Sequence, residues 1–190
     1  MKNKLISFLL IITCALSCQK NEQLHTVSVQ EFSEFINETG YITDAEKFGW
    51  SFIQKTVYDY EIVKNISWKN PSGKGEAKPD FPVTQVSYND VVAYCKWANK
   101  KLPNYNDYWR LANKDKKPLN FNTIQMYEAN KYNVVGNVWD ITTPLDKNKI
   151  RLAGGSYLCS ENTCNGILPT RELIVDATTS NSHIGFSVIK

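Results

Sequence analysis

The chain has 190 residues, of which 42% are hydrophobic, 12% aromatic and 22% charged, enough apolar mass for one domain with its own core. Its formal charge of +3 includes Lys2 and Lys4 at the N-terminus, so the remainder is close to neutral, and with no basic run interleaved with aromatics nothing asks for nucleic acid. After the first apolar run no second hydrophobic span of membrane length follows.

Residues 1–17 read as an export signal: Lys2 and Lys4, the apolar run Leu5 to Leu16, then the small Ser17 before Cys18. Ala15-Leu16-Ser17-Cys18 resembles a lipobox, with Ala15 where that pattern prefers Leu. The resemblance implies an exported bacterial lipoprotein, lipidated at Cys18 and anchored on the periplasmic or cell-surface side of a membrane. Residues 18–23 are then a tether, and 24–190, with no internal repeat, a single domain. Outside the cytoplasm disulfides are permitted. Cys14 is lost with the signal and Cys18 carries lipid, which leaves Cys95, Cys159 and Cys164, an odd number.

Ser28-Val29-Gln30-Glu31 carries a capping-box pattern. It predicts a short amphipathic helix with Val29, Phe32, Phe35 and Ile36 inward and Gly40 as its stop. Thr43 to Phe52 reads as aromatic and irregular, and Val57 to Val63 as a strand by composition. Between Asn65 and Pro82 the residues Pro71, Gly73, Gly75, Pro79 and Pro82 forbid long regular structure, while Trp68 calls for burial, so a packed loop is expected. The clearest helix starts at Ser87-Tyr88-Asn89-Asp90. Val91, Tyr94, Cys95 and Ala98 fall at i, i+3, i+4 and i+7, Lys100 and Lys101 favour its C-terminal end, and Pro103 stops it. Cys95 on that face reads as a buried, inert thiol. A second short helix is expected over Asp107 to Asn113 with Trp109 and Ala112 inward, and Lys114 to Pro118 is a solvated turn. The loop Tyr132 to Asp140 follows, then a strand Ile150 to Ala153 and a last strand His183 to Ile189.

The chemistry concentrates in Gly154 to Cys164. A glycine pair lets the backbone turn tightly or approach a ligand closely, and Cys159 and Cys164 place two thiols in one short loop. Cys-x4-Cys is neither a common zinc spacing nor a redox Cys-x-x-Cys, and spacing alone leaves a small disulfide loop, two unrelated thiols or a soft-metal site open. The chain has only His25 and His183, far apart, which argues against Cys-His and Ser-His-Asp hydrolases. His25 reads as a solvated residue and His183 as a packed or hydrogen-bonded residue of the last strand.

Several stretches, taken in order, resemble the formylglycine-generating enzyme family, also called sulfatase-modifying factors. They are Glu31-Phe32 with Thr39 to Gly49, Phe81-Pro82-Val83, Val86 to Asp90, Ala93 to Ala98 with Leu102-Pro103, Val135-Gly136-Asn137-Val138-Trp139-Asp140, Arg151 with Gly154 to Cys164, and Ile184-Gly185-Phe186. The resemblance implies an α+β, C-type-lectin-like fold of low regular content, with two or three short helices around a small twisted antiparallel sheet. It implies an oxidase that converts a cysteine of exported sulfatases, within a Cys-x-Pro-x-Arg motif, to formylglycine using O2. In that family the loop's two thiolates, here Cys159 and Cys164, bind Cu(I), a soft ion suited to sulfur. Ser156 orients substrate or oxygen, Trp139 walls the pocket, and Arg171 is the substrate-side arginine, shifted by one residue. Asn133, Gly136, Val138 and Asp140 match the family's Ca2+ ligands, two by side chain and two by carbonyl, an all-oxygen set. Without the family, the same stretch reads as an Asn-Gly-Asn turn in which Asp140 caps its own backbone.

The departures are as definite. The segment ahead of the first helix and the insert between Pro118 and Tyr132 are short against the family pattern. Thr142 and Ser187 replace a tryptophan and an arginine, and the partner that often pairs with the cysteine at Cys95 is absent. A His-x3-His-x-Glu helix, which an iron sulfoxide synthase of this family needs, is absent too. The alternative to the oxidase is a non-catalytic lipoprotein of the same fold that binds a protein or glycan partner, its two loop thiols forming a disulfide.

Overall fold

The computed structural model describes residues 21–120, 124–144, 146, 149–159 and 167–190. The export signal, Cys14, Cys18 and Cys164 lie outside the described residues. Capping chemistry sets the first half. Helix α1 (Val29–Thr39) starts at Ser28, whose hydroxyl accepts from Glu31 N while the Glu31 carboxylate accepts from Ser28 N, and Gly40 closes it in the left-handed region at φ 64°. Val29, Phe32 and Phe35 point inward, as their spacing predicts. The stretch expected to be irregular holds a second box: Thr43 and Glu46 cap α2 (Asp44–Phe48), and Gly49 ends it. The pattern is present in the sequence, but one turn and a half offers too little periodicity to show it.

Strand β1 (Leu24–Thr26) precedes α1, and β2 (Trp50–Gln54) pairs antiparallel with β3 (Tyr60–Lys64). The expected strand therefore starts three residues late, because residues 56–59 make the hairpin turn. Helix α3 (Tyr88–Ala98) is capped by Ser87 and Asp90. Helix α4 (Tyr105–Ala112) begins before the expected Asp107. Asn104 is its cap and accepts from Asp107 N, which places Tyr105 and Tyr108 on the buried face beside Trp109.

Strands β4 (Trp139–Ile141), β5 (Lys149–Ala153), β6 (Leu173–Asp176) and β7 (Ile184–Gly185) form a sheet in the order β6-β5-β4-β7. Its β4–β7 pair is parallel, so the expected antiparallel sheet is mixed at one edge. The last strand divides at Phe186: β7 belongs to this sheet, whereas β8 (Ser187–Ile189) crosses to pair with β1. At that switch the Phe186 ring is fully buried, edge-on to Phe32 and Tyr94 at 6.4 and 5.2 Å. Phe32 also stacks on Tyr94 and meets Trp68, which draws the proline-rich loop into the core as expected. Fully burying each such ring contributes about 2–3 kcal/mol. Cys95 is free and half-buried on α3, its thiol pushed up to about 12 by burial, an inert state. Among the described residues no helix is long and apolar enough to cross a membrane.

Candidate functional site

The site is built on the end of β5. Gly154 and Gly155 follow it at φ +90° and +70°, where side chains are rarely tolerated. At Gly154 the reason is also packing: a Cβ there would lie 2.2 Å from the Tyr108 hydroxyl. The close approach permitted by this glycine is to α4, whose Tyr108 reaches under the turn and donates to Asp140 Oδ2 at 2.9 Å. Gly154 O accepts from Gly136 N, so the Val135-Gly136-Asn137 loop is held against the same turn.

Past the turn the chain folds back on itself. Cys159 N donates to Ser156 O, and Ser156 N donates to Cys159 Sγ at 3.5 Å. Cys159 is disulfide-bonded; Cys95 is free, so its partner lies outside the described residues. Ser156 Oγ lies 3.2 Å from His183 Nδ1 and accepts weakly from Leu158 N at 3.4 Å. Ser156, Cys159 and His183 are all buried.

These residues line a cavity of about 430 Å³ together with Trp139, Phe52, Tyr60 and Arg171. Trp139 comes from the centre of the sheet. Arg171 lies at the exposed rim, its carbonyl accepting from Tyr105. The hairpin supplies the mouth, where Tyr58 and Tyr60 are 80% and 57% exposed. Ser156, Cys159, Trp139 and Arg171, named from the sequence, are thus brought together, while Cys164 is outside the described residues.

His183 is what the sequence underrated. It does hydrogen-bond within the last strand's approach, but to Ser156 and on the cavity wall. Burial holds its pKa down at about 3, so the ring is neutral. The segment before it is fixed by a polar lattice. Ser51 Oγ lies 2.6 Å from both Gln85 Oε1 and Ser180 Oγ, Gln85 Nε2 donates to Phe52 O and Pro71 O, and Asn181 Nδ2 donates to Gln54 Oε1. Gln85 adopts φ 61° to do this. Its only advance signal is a polar residue inside the run Val83-Thr84-Gln85-Val86.

The four oxygen-site residues are only partly drawn together. Gly136 and Asp140 flank the β5 end through Gly154 and Ala153. Asn133 sits at the C-terminal end of α4, where Nδ2 donates to Ala112 O and Oδ1 accepts from Val135 N. Val138 is buried against Gly185. Asp140 does not cap its own backbone; it meets Tyr108. Burial pushes its carboxyl up to about 7 against the opposing pull of the Ser187 and Tyr108 hydroxyls, and Oδ1 has no hydrogen bond of good geometry. A buried carboxylate oxygen without a donor fits a hard cation, and Asn133 Oδ1 keeps a lone pair for one. Among the described residues no cluster of three or more His, Cys, Asp or Glu occurs, so carbonyls would have to complete the set.

A family model described as the sulfatase-modifying factor enzyme 1-like domain matches residues 23–117. The chain belongs to this family. A formylglycine-generating enzyme of Thermomonospora curvata is 26% identical over 238 aligned positions, covering 85% of this chain and 78% of that protein. The Bos taurus formylglycine-generating enzyme is 40% identical over 98 residues, 42% of this chain but only 26% of the bovine one. The fold is shared with PvdO from Pseudomonas aeruginosa, at a TM-score of 0.55, 13% identity and coverage of 87% and 77% of the two chains. Ser156, Leu158 and Cys159 lie on the cavity wall, beyond the segment matched by the family model.

Proposed function

We propose that the chain is a formylglycine-generating oxidase, a lipoprotein anchored through Cys18 that oxidises a cysteine of an exported sulfatase. The observation that carries this is the convergence of Ser156, Cys159, Trp139 and Arg171, spread over more than thirty residues, on one cavity. Once the disulfide at Cys159 is reduced, the soft donor pair Cys159 and Cys164 suits Cu(I), which would supply the O2 chemistry. The chain's own residues bind and exclude. Trp139, Phe52 and the hairpin tyrosines keep water from a bound peptide, and the Arg171 guanidinium offers the rim a cation for the peptide's backbone or acidic neighbours. Ser156 presents a hydroxyl beside the thiol. Calcium at Asp140, Asn133 and the carbonyls of Gly136 and Val138 would neutralise the buried carboxyl and brace the β5 turn from behind.

The disulfide-bonded state of Cys159 favours one alternative: a non-catalytic lipoprotein that uses the aromatic mouth to bind a protein or glycan partner. A Cu(I) titration of the reduced protein separates the two. One-to-one binding lost in Cys159→Ser and in Cys164→Ser supports the oxidase and justifies measuring O2 consumption with a Cys-x-Pro-x-Arg peptide. A disulfide resistant to reduction, with no specific copper binding, leaves the binding protein.

A further inference from the structure

His183 is a candidate the oxidase chemistry above does not use. Its ring lines the cavity, Nδ1 faces Ser156 Oγ at 3.2 Å, and Nε2 makes no hydrogen bond to any described residue. The tautomer follows from satisfying the serine. Ser156 is fully buried, and its oxygen already faces Leu158 N–H, so the hydroxyl proton needs an acceptor; among the described residues Nδ1 is the one within reach. If Ser156 donates to Nδ1, the ring proton must sit on Nε2. The opposite tautomer would leave a buried hydroxyl proton unpaired and a bare lone pair on the cavity wall.

We propose that His183 is a substrate-positioning residue: Ser156 fixes its neutral Nε2–H tautomer, and Nε2–H donates into the cavity to the sulfur or carbonyl oxygen of an incoming cysteine residue. A neutral donor orients that residue without adding a cation that would compete with a soft metal ion for the thiolate. The polar lattice of Ser51, Gln85, Ser180 and Asn181 sets the backbone from which the ring projects, so the donor is pre-aimed. Unlike the thiol pair, this device needs no metal to operate.

The inference rests on the cavity receiving a cysteine side chain, and the test keeps the two apart. Histidine 15N shifts of the reduced, metal-free mature chain at pH 7 should show neutral His183 protonated at Nε2; protonation at Nδ1, or an imidazolium, overturns the proposal. Binding of a fluorescent Cys-x-Pro-x-Arg peptide is then compared in three proteins. His183→Gln retains an N–H near the Nε2 position and should stay within about twofold of wild type. His183→Asn keeps only a group near Nδ1 and should bind about tenfold more weakly, the loss of one hydrogen bond. Equal affinity in all three, or equal weakening of both variants with a matching loss of thermal stability, makes His183 merely structural and overturns the proposal. Failure of wild type to bind the peptide while the Nε2–H tautomer is present overturns the oxidase and the peptide ligand together, and leaves the tautomer argument intact.

Discussion

Two buried carboxylates divide the molecule. Asp90, at the start of α3, accepts from Ser87 N, Asp44 N and the Tyr41 hydroxyl, and its neighbour Asp44 accepts from Ser87 Oγ and Asn89 Nδ2. Asp140, under the cavity, has the Tyr108 hydroxyl, the pull of the nearby Ser187 hydroxyl, and an oxygen with no hydrogen bond of good geometry. The pattern extends beyond the pair. Of the six buried polar side-chain atoms lacking partners among the described residues, Trp109 Nε1, Tyr127 Oη, Asp140 Oδ1 and Arg151 Nε belong to the α4–β5 side, and Trp68 Nε1 and Thr84 Oγ1 lie outside it. The helical half spends most of its polar groups on caps, and the cavity half keeps more in reserve. Unmet polar groups cost stability, so they mark where a fold accommodates something besides itself.

The largest test of that division is steric. Gly154→Ala places a Cβ against Tyr108 and adds a side chain at φ +90°, and Gly185→Ala places one 2.5 Å from Val83 O. Each should cost about 3 kcal/mol or more in urea unfolding. A loss under about 1 kcal/mol would mean that the turn relaxes freely and does not fix the site. Next is Gln85→Ala, which removes the buried amide joining Ser51, Phe52 and Pro71. It should cost about 2–3 kcal/mol and also weaken peptide binding, since the lattice holds the approach to His183. Asp90→Asn should cost a similar amount yet leave peptide affinity unchanged in the folded fraction, and a changed affinity would erase the contrast between the halves.

Acid–base behaviour sharpens it further. Asp140 and Asp90 are raised to about 7 and about 6, chiefly by burial, so their contributions are full below the ordinary carboxylate range near 3.8 and are lost as pH rises through those values. His183 is lowered to about 3, so its contribution is present above about 6.5 and lost as pH falls. Between pH 4.5 and 6 two carboxyls oppose one imidazole, so wild-type stability should fall as pH rises by up to about 1.4 kcal/mol per pH unit, the net of one group. His183→Gln removes the opposing group, and the fall should steepen to about twice that slope. Calcium should raise the midpoint of wild type and not of Asp140→Asn. The smallest effect expected is Ser28→Ala, about 1 kcal/mol from a lost helix cap, with no change at the cavity.

The sequence carried helices α1 and α3 openly because their code is local. Ser28 with Glu31 and Ser87 with Asp90 lie three residues apart, and the apolar spacing of Phe32 and Phe35 or of Val91 and Tyr94 repeats the helical turn. It also set Ser156 and Cys159 in fixed order after a glycine pair. Tertiary structure alone decided the rest. Nothing near Gly154 announces that Tyr108, forty-odd residues earlier, fills the space where its side chain would be, or that Gln85 binds Ser51. Ser156 and His183 are 27 residues apart and meet because β7 lies parallel to β4 while the loop after β5 folds over its end. Local patterns record hydrogen bonds closed within one turn of helix. A cavity is made by groups whose partners are distant in the chain, and their meeting is fixed by packing, which no short window of sequence contains.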